Sequence, residues 1–220
     1  MRFNSDPNVA REQKHVFIFE EKNSMLGLTM ETDPRWVDIA QKNIAEILTD
    51  HAFCEQKAAS HAISIIVQYP QYPDLVKAMI AICQEEMAHF EMVHEKILSL
   101  GLTLGFERKY SYVNDLSEFL RRNKTNSTPE GQFVNKMLLA AMIEARSCER
   151  FKRLSEQLAL ESLRKFYRDL MESEARHYAT FLGFAKKYAK TIDVDVCWKD
   201  FLVFEGSLMK TYGTKETIHG

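Results

Sequence analysis

The chain has 220 residues, 45% apolar and 27% charged, with a formal net charge of −2 and a pI near 6.4. That balance suits a folded globular domain and not a disordered chain, and gives no overall pull towards nucleic acid or anionic membrane. Its 8 glycines and 5 prolines are about half the usual share, which argues against sandwiches and barrels and for long helices.

No apolar run reaches the roughly 18 residues that a membrane-spanning helix needs. The opening MRFNSDPNVAREQKH lacks the apolar core of a secretory signal. Cys54, Cys83, Cys148 and Cys197 are scattered without CxxC spacing, as reduced, buried thiols of a cytoplasmic protein are. No linker or low-complexity segment divides the chain, which reads as one domain over 1–220.

Residues 1–32 are mixed in pattern and read as an N-terminal extension. Asp33-Pro34 supplies an N-cap and an N1 proline for a helix over about 35–69, with a candidate break near Thr49-Asp50. Tyr69 to Pro73 forms a turn into a second helix over 73–100, which Gly101 closes. Residues 101–128 form a crossover with a short helix near 114–122. Thr128-Pro129-Glu130 opens a third helix, over 129–158. A turn at Leu158 to Ser162 leads to a fourth, over 161–189, and a shorter helix follows at about 193–210. The expectation is all-α: a four-helix bundle over about 33–190, a long crossover between helices 2 and 3, and accessory helices.

Each long segment carries an apolar stripe at alternating three- and four-residue spacing. The stripes run Val37, Gln41, Ile44, Leu48, His51, Glu55, Ala58, Ala62, Ile65; then Leu75, Met79, Ile82, Glu86, His89, Val93, Ile97, Leu100. The third is Phe133, Met137, Ala140, Glu144, Ser147, Phe151, Leu154, Leu158, and the fourth Leu163, Tyr167, Leu170, Glu174, His177, Phe181, Phe184, Tyr188. All four are apolar at both ends and hold a carboxylate in the middle. In the second and fourth a histidine follows three residues on, so Glu86/His89 and Glu174/His177 each point two donors the same way. Glu55 and Glu86 are 31 residues apart and Glu144 and Glu174 are 30 apart. Two similar hairpins therefore bring their polar positions to one height.

Burying one unpaired carboxylate costs several kcal/mol, and four together repel one another. Two divalent cations balance four glutamates, and two neutral imidazoles add donors without charge. Four Glu with two Glu-x-x-His pairs is the ligand set of ferritin-like di-iron and di-manganese proteins. Oxygen-rich donors suit iron, with manganese as the alternative, better than structural zinc. On this evidence the site serves redox chemistry, as an oxygenase acting on a small molecule, a ferroxidase or a manganese catalase.

Five stretches resemble one family. They are Leu26-Gly-Leu with Thr32-Asp-Pro-Arg-Trp-Val37, Asp50-His-Ala-Phe-Cys-Glu-Gln-Lys-Ala-Ala59, Glu85-Glu-Met-Ala-His-Phe90, Ile143-Glu-Ala-Arg-Ser-Cys-Glu-Arg-Phe151 and Glu172-Ser-Glu-Ala-Arg-His-Tyr178. The chain from about 25 to about 208 is similar to the tRNA 2-methylthio-isopentenyladenosine hydroxylases (MiaE). The resemblance implies a non-haem di-iron monooxygenase that hydroxylates an isopentenyl group next to the tRNA anticodon. It implies dioxygen, two electrons from an unidentified donor, and the metal ligands Glu55, Glu86, His89, Glu144, Glu174 and His177.

Around these, His51 is expected as a buried, hydrogen-bonded histidine, Glu85 as an orienting carboxylate or a solvated one, and Arg146 with Glu149 as a salt bridge. Tyr167, Phe181 and Phe184 are expected in the core, and His94 and Glu91 at the surface. Contacts to tRNA phosphates would come from Arg146/Arg150/Arg153 with Lys152, Arg164/Lys165/Arg168, Arg121/Arg122/Lys124 or Lys186/Lys187/Lys190.

Overall fold

Prolines, one glycine and short turns divide the chain into seven α-helices in the computed structural model, which describes residues 25–108, 111–212 and 217–218. They are α1 (Trp36–Lys42), α2 (Ile44–Gln68), α3 (Pro73–Ser99), α4 (Tyr112–Arg122), α5 (Pro129–Gln157), α6 (Glu161–Tyr188) and α7 (Val194–Tyr212). One-turn 3-10 segments lie at Met25–Gly27 and Lys124–Ser127. Most of the expected N-terminal extension lies outside the described residues. Among them no strand occurs, and no helix is long and apolar enough to cross a membrane.

Pro73 and Pro129 occupy first-turn positions of α3 and α5, where a missing N–H leaves nothing unpaired. Thr128 caps α5 by accepting from the Gly131 N–H at 3.0 Å. Gly101, at φ 70°, ends α3: its N–H donates to Leu98 O at 2.9 Å and that of Leu102 to Ile97 O at 3.0 Å, the Schellman pattern.

The first bundle helix departs from expectation. It breaks at Asn43, not near Thr49-Asp50. Asn43 takes φ −125°, ψ 41°, and its Nδ2 donates to Ile39 O at 2.9 Å, while its own carbonyl accepts from the Glu46 and Ile47 N–H groups. A short amide side chain here competes with the helix backbone and restarts it. The restart shifts the register, so Ala40 is buried and Gln41, expected on the stripe, is exposed. Thr49 and Asp50 lie inside α2, both buried.

α2 packs along α3 and α5 along α6, giving two hairpins, with α4 in the crossover and α1 and α7 as accessory helices. Two apolar clusters fill the bundle. One contains Ala62, Ile65, Met79, Ile82, Met137, Ala141 and Phe181; the other Leu48, Ala52, Val93, Phe151, Leu154, Tyr167 and Leu170. On α2, α3 and α6 the expected polar residues sit between the two sets, and on α5 Glu144 sits where they meet. The fold is the ferritin-like four-helix bundle, and its polar girdle is level across four helices.

Candidate metal centre

Glu55 comes from α2, Glu86 and His89 from α3, Glu144 from α5, and Glu174 and His177 from α6. All six are at most 5% exposed. They fall into two overlapping groups, Glu55/Glu86/His89/Glu174 and Glu86/Glu144/Glu174/His177, each with donor atoms within 4.8 Å of one another. Glu86 and Glu174 belong to both. Each hairpin thus contributes one shared carboxylate, one unshared carboxylate and one imidazole.

The inner atoms lack ordinary partners. Both oxygens of Glu86, Oε1 of Glu174 and Nδ1 of both histidines make no well-formed hydrogen bond among the described residues. His177 Nδ1 is 2.8 Å from Glu86 Oε1, and His89 Nδ1 is 3.5, 3.6 and 3.8 Å from oxygens of Glu86, Glu55 and Glu174. Buried polar atoms are normally satisfied. Five orphans converging from α3 and α6, with Glu55 and Glu144 beside them, fit a pair of divalent cations that the two groups could hold.

The outer imidazole faces are tied down. His177 Nε2 is 3.1 Å from Glu85 Oε2, and His89 Nε2 is 3.2 Å from Ser173 Oγ, which itself donates to Glu85 Oε1 at 2.6 Å. Arg176 pairs with the same Glu85 oxygen at 2.5 Å. One half-buried carboxylate therefore fixes both rings with Nδ1 facing inward, as carboxylates behind metal-binding histidines do. Ser173 was not among the sequence candidates. It precedes Glu174 just as Glu85 precedes Glu86, so the repeat itself carried the signal.

His51 is fully buried against Tyr167 and Phe151, with Nε2 2.6 Å from Glu55 Oε1. Burial, reinforced by nearby His89, pushes its pKa down to about 3, so the ring is neutral, and its hydrogen bond through Nε2 orients Glu55. Cys54 and Cys148 are packing groups with thiols pushed up by burial. Glu91 is exposed and His94 half-buried.

Burial and mutual repulsion raise Glu55, Glu144 and Glu174 well above the usual carboxyl range. Glu86 goes the other way: burial raises it, but the His177 and His89 imidazoles outweigh that and hold it low. Burial disfavours both imidazolium ions, yet facing carboxylates lift His89 to about 10 and His177 to about 9. Without cations the cluster holds protons in their place. The imidazole contribution to folding is then complete below the unfolded value of 6.5 and is lost as pH rises through about 9 to 10. The melting temperature of the metal-free chain should fall across that window. A saturating divalent cation such as Mn²⁺ displaces the protons, so its stabilising shift should grow with pH. Calorimetry at both ends of the window, with and without the cation, measures this; a cation effect independent of pH would contradict it.

A cavity of about 370 Å³ runs from the surface to this cluster. Its wall is Leu139, Ala140, Ile143, Val113 and Phe181, Glu144 lies in its lining, and Lys57, His61, Glu107 and Asn114 add polar groups. Phe181 thus serves core and cavity together.

One expected cationic set is not available to a polyanion. Arg146 and Arg150 are fully buried. Arg146 donates from Nε and Nη2 to the two oxygens of Glu205 on α7 (2.8 and 2.9 Å) and from Nη1 to Glu149 (3.0 Å). Arg150 lies over the Trp36 ring and donates to Thr217 O at 2.5 Å. Both hold α1, α7 and residues near both ends of the chain onto α5. Apart from half-buried Arg153 and Arg164, the other candidates are exposed, with Arg122, Lys186 and Lys187 paired to Glu118, Asp195 and Asp74.

Residues 18–220 match the family model described as tRNA-(MS[2]IO[6]A)-hydroxylase (MiaE), reaching beyond both ends of the expected stretch. A tRNA 2-(methylsulfanyl)-N(6)-isopentenyladenosine(37) hydroxylase of Pseudomonas putida is 35% identical over 180 residues, 82% of this chain and 84% of that protein. One of Salmonella typhimurium is 26% identical over 205 residues, covering 71% and 74%. Among solved structures, "Protein 43 with aldehyde deformylating oxygenase activity from Synechococcus" superposes with TM-score 0.79 at 30% identity, over 88% of this chain and 95% of that one. A match spanning nearly the whole sequence, on a bundle that buries four carboxylates and two imidazoles at one level, places this chain in the MiaE tRNA hydroxylase family.

Proposed function

We propose that the chain is an O₂-dependent monooxygenase that hydroxylates the isopentenyl group of 2-(methylsulfanyl)-N(6)-isopentenyladenosine at tRNA position 37, using iron held by Glu55, Glu86, His89, Glu144, Glu174 and His177. The observation that carries this reading is that an apolar cavity reaches Glu144, a member of the cation-competent cluster. When bound, the iron pair supplies the redox chemistry by which O₂, two electrons and two protons turn one C–H bond into C–OH and release water. Glu86 and Glu174, members of both donor groups, would serve both ions; Glu55 and His89 would complete one set, Glu144 and His177 the other.

The rest belongs to the protein. Leu139, Ala140, Ile143, Val113 and Phe181 offer the prenyl chain an apolar wall and keep water from the reacting carbon. The volume fits a substituted purine and falls within the usual range for ligand pockets, about 300–1,000 Å³. The tRNA body stays outside, so the modified adenosine must leave its stack to enter. Exposed Arg121, Arg122 and Lys124, at the C-terminal end of the helix whose first turn lines the cavity, are suited to the phosphates. An activity on tRNA implies that the chain acts in the cytoplasm.

Nucleoside mass spectrometry of tRNA from a deletion strain tests the reading. The hydroxylated nucleoside should vanish, its unhydroxylated precursor should accumulate, and a plasmid copy of the gene should restore it. An unchanged profile sinks the proposal. The similar structure with aldehyde deformylating oxygenase activity favours one second reading, an aldehyde in the same cavity; loss of the formyl group from an aldehyde turned over by the iron-loaded protein would support it.

A further inference from the structure

Between α3 and α4 the chain carries apolar residues at alternate positions: Leu102, Leu104, Phe106. The first two pack against the apolar cluster that contains Trp36 and Phe151. The third does not. Phe106 is 94% exposed, the most exposed large apolar side chain among the described residues, ahead of Val67 at 73%.

This ring is not on a loose loop. The Gly105 N–H donates to Thr49 Oγ1 at 3.2 Å, Glu107 is 2.9 Å from Lys57 Nζ, and Arg108 pairs with Glu46. Each neighbour of Phe106 is thus anchored to α2. Glu107 and Lys57 are also part of the cavity lining, which sets Phe106 at its mouth with Lys57 and Arg108 beside it.

We propose that Phe106 is a stacking platform for a nucleobase of the anticodon loop next to the modified adenosine; this rests on the tRNA reading above. When the target base enters the cavity, each of its neighbours loses a stacking face. An aromatic ring held at the entrance takes the place of the departed base. Unpaired loop bases are bound on aromatic side chains in this way, and the contact tolerates sequence because every base has a π-face.

The test uses an anticodon stem-loop RNA carrying the modified adenosine, with 2-aminopurine as its neighbour. Binding to the full-length wild-type chain should quench 2-aminopurine fluorescence as the probe stacks. Phe106→Ala should lose the quench and weaken binding about tenfold. Its salt dependence should stay the same, because no phosphate contact is removed. Phe106→Trp should keep both quench and affinity. The exposure of the ring predicts an unchanged melting temperature for either variant, and hydroxylation of the free modified nucleoside should be unaffected.

Full quench and affinity in Phe106→Ala, while wild-type protein hydroxylates tRNA, overturns the platform alone. Equal losses on tRNA and on free nucleoside would make Phe106 part of the cavity wall instead, and also overturn it. Self-association of the wild type that Phe106→Ala abolishes, with tRNA affinity intact, would assign the ring to a protein contact. A wild-type chain inactive on both tRNA and nucleoside removes the hydroxylase reading and the platform with it.

Discussion

Glu174→Gln should reduce hydroxylation to background and leave the chain with one bound metal ion or none, whereas Glu55→Gln should lose only the ion of its own group. Glu174 belongs to both donor groups and Glu55 to one. The amide is close in shape but neutral, so it removes a charge that both cations use and leaves the packing intact. The sign of the stability change separates this from damage to the fold. Burial and the neighbouring carboxylates oppose ionisation of Glu174 in the metal-free chain. Relieving that repulsion should raise the melting temperature without metal, while the rise on adding metal shrinks. Metal analysis of each variant, with melting curves before and after loading, checks both. Two ions retained by Glu174→Gln would show that the two groups do not share this residue.

Arg146→Met should destabilise the chain by about 3–5 kcal/mol, because it strips a buried charge pair of one member. Glu205 is completely buried and accepts from Arg146 and from the Tyr112 hydroxyl at 2.8 Å. Removing the guanidinium leaves a carboxylate in the core with only a phenol as partner. The pair itself is not the source of the loss, so Arg146→Met with Glu205→Leu should recover much of it. Urea unfolding of the two single variants and the double variant gives the coupling. A single-variant loss under about 1 kcal/mol would mean that water reaches Glu205. Tyr112 also lines the cavity, so loosening this network disturbs the wall facing the substrate.

The residues that make the girdle were readable because helical periodicity fixes which positions share a face. Once Glu86, His89, Glu174 and His177 fall on apolar stripes, their convergence follows from two hairpins of equal length. Asn43 was not readable in the same way. It restarts the helix through its own side chain and moves Gln41 off the stripe, a local competition that apolar spacing does not report. The Arg146–Glu149 pair was readable from its spacing, but the burial that removes Arg146 and Arg150 from the candidate phosphate contacts was not, for a related reason. A cation in a sequence looks solvated until its partners are placed, and theirs lie on Glu205 and Thr217, 59 and 67 residues away. Ser173 shows the opposite case: aligning the two Glu-x-x-His segments puts it opposite Glu85 without any coordinates. The cavity needed the fold, since α2, α4, α5 and α6 each supply only part of its wall.

The sharing of Glu86 and Glu174 also orders events during biosynthesis. Both donor groups include a residue from the last bundle helix, so a nascent chain that has emerged only through its first hairpin owns neither site in full. Metal insertion therefore waits until the second hairpin has docked. Cells short of the metal should accumulate chains that are folded and empty, ready to be charged later without new synthesis.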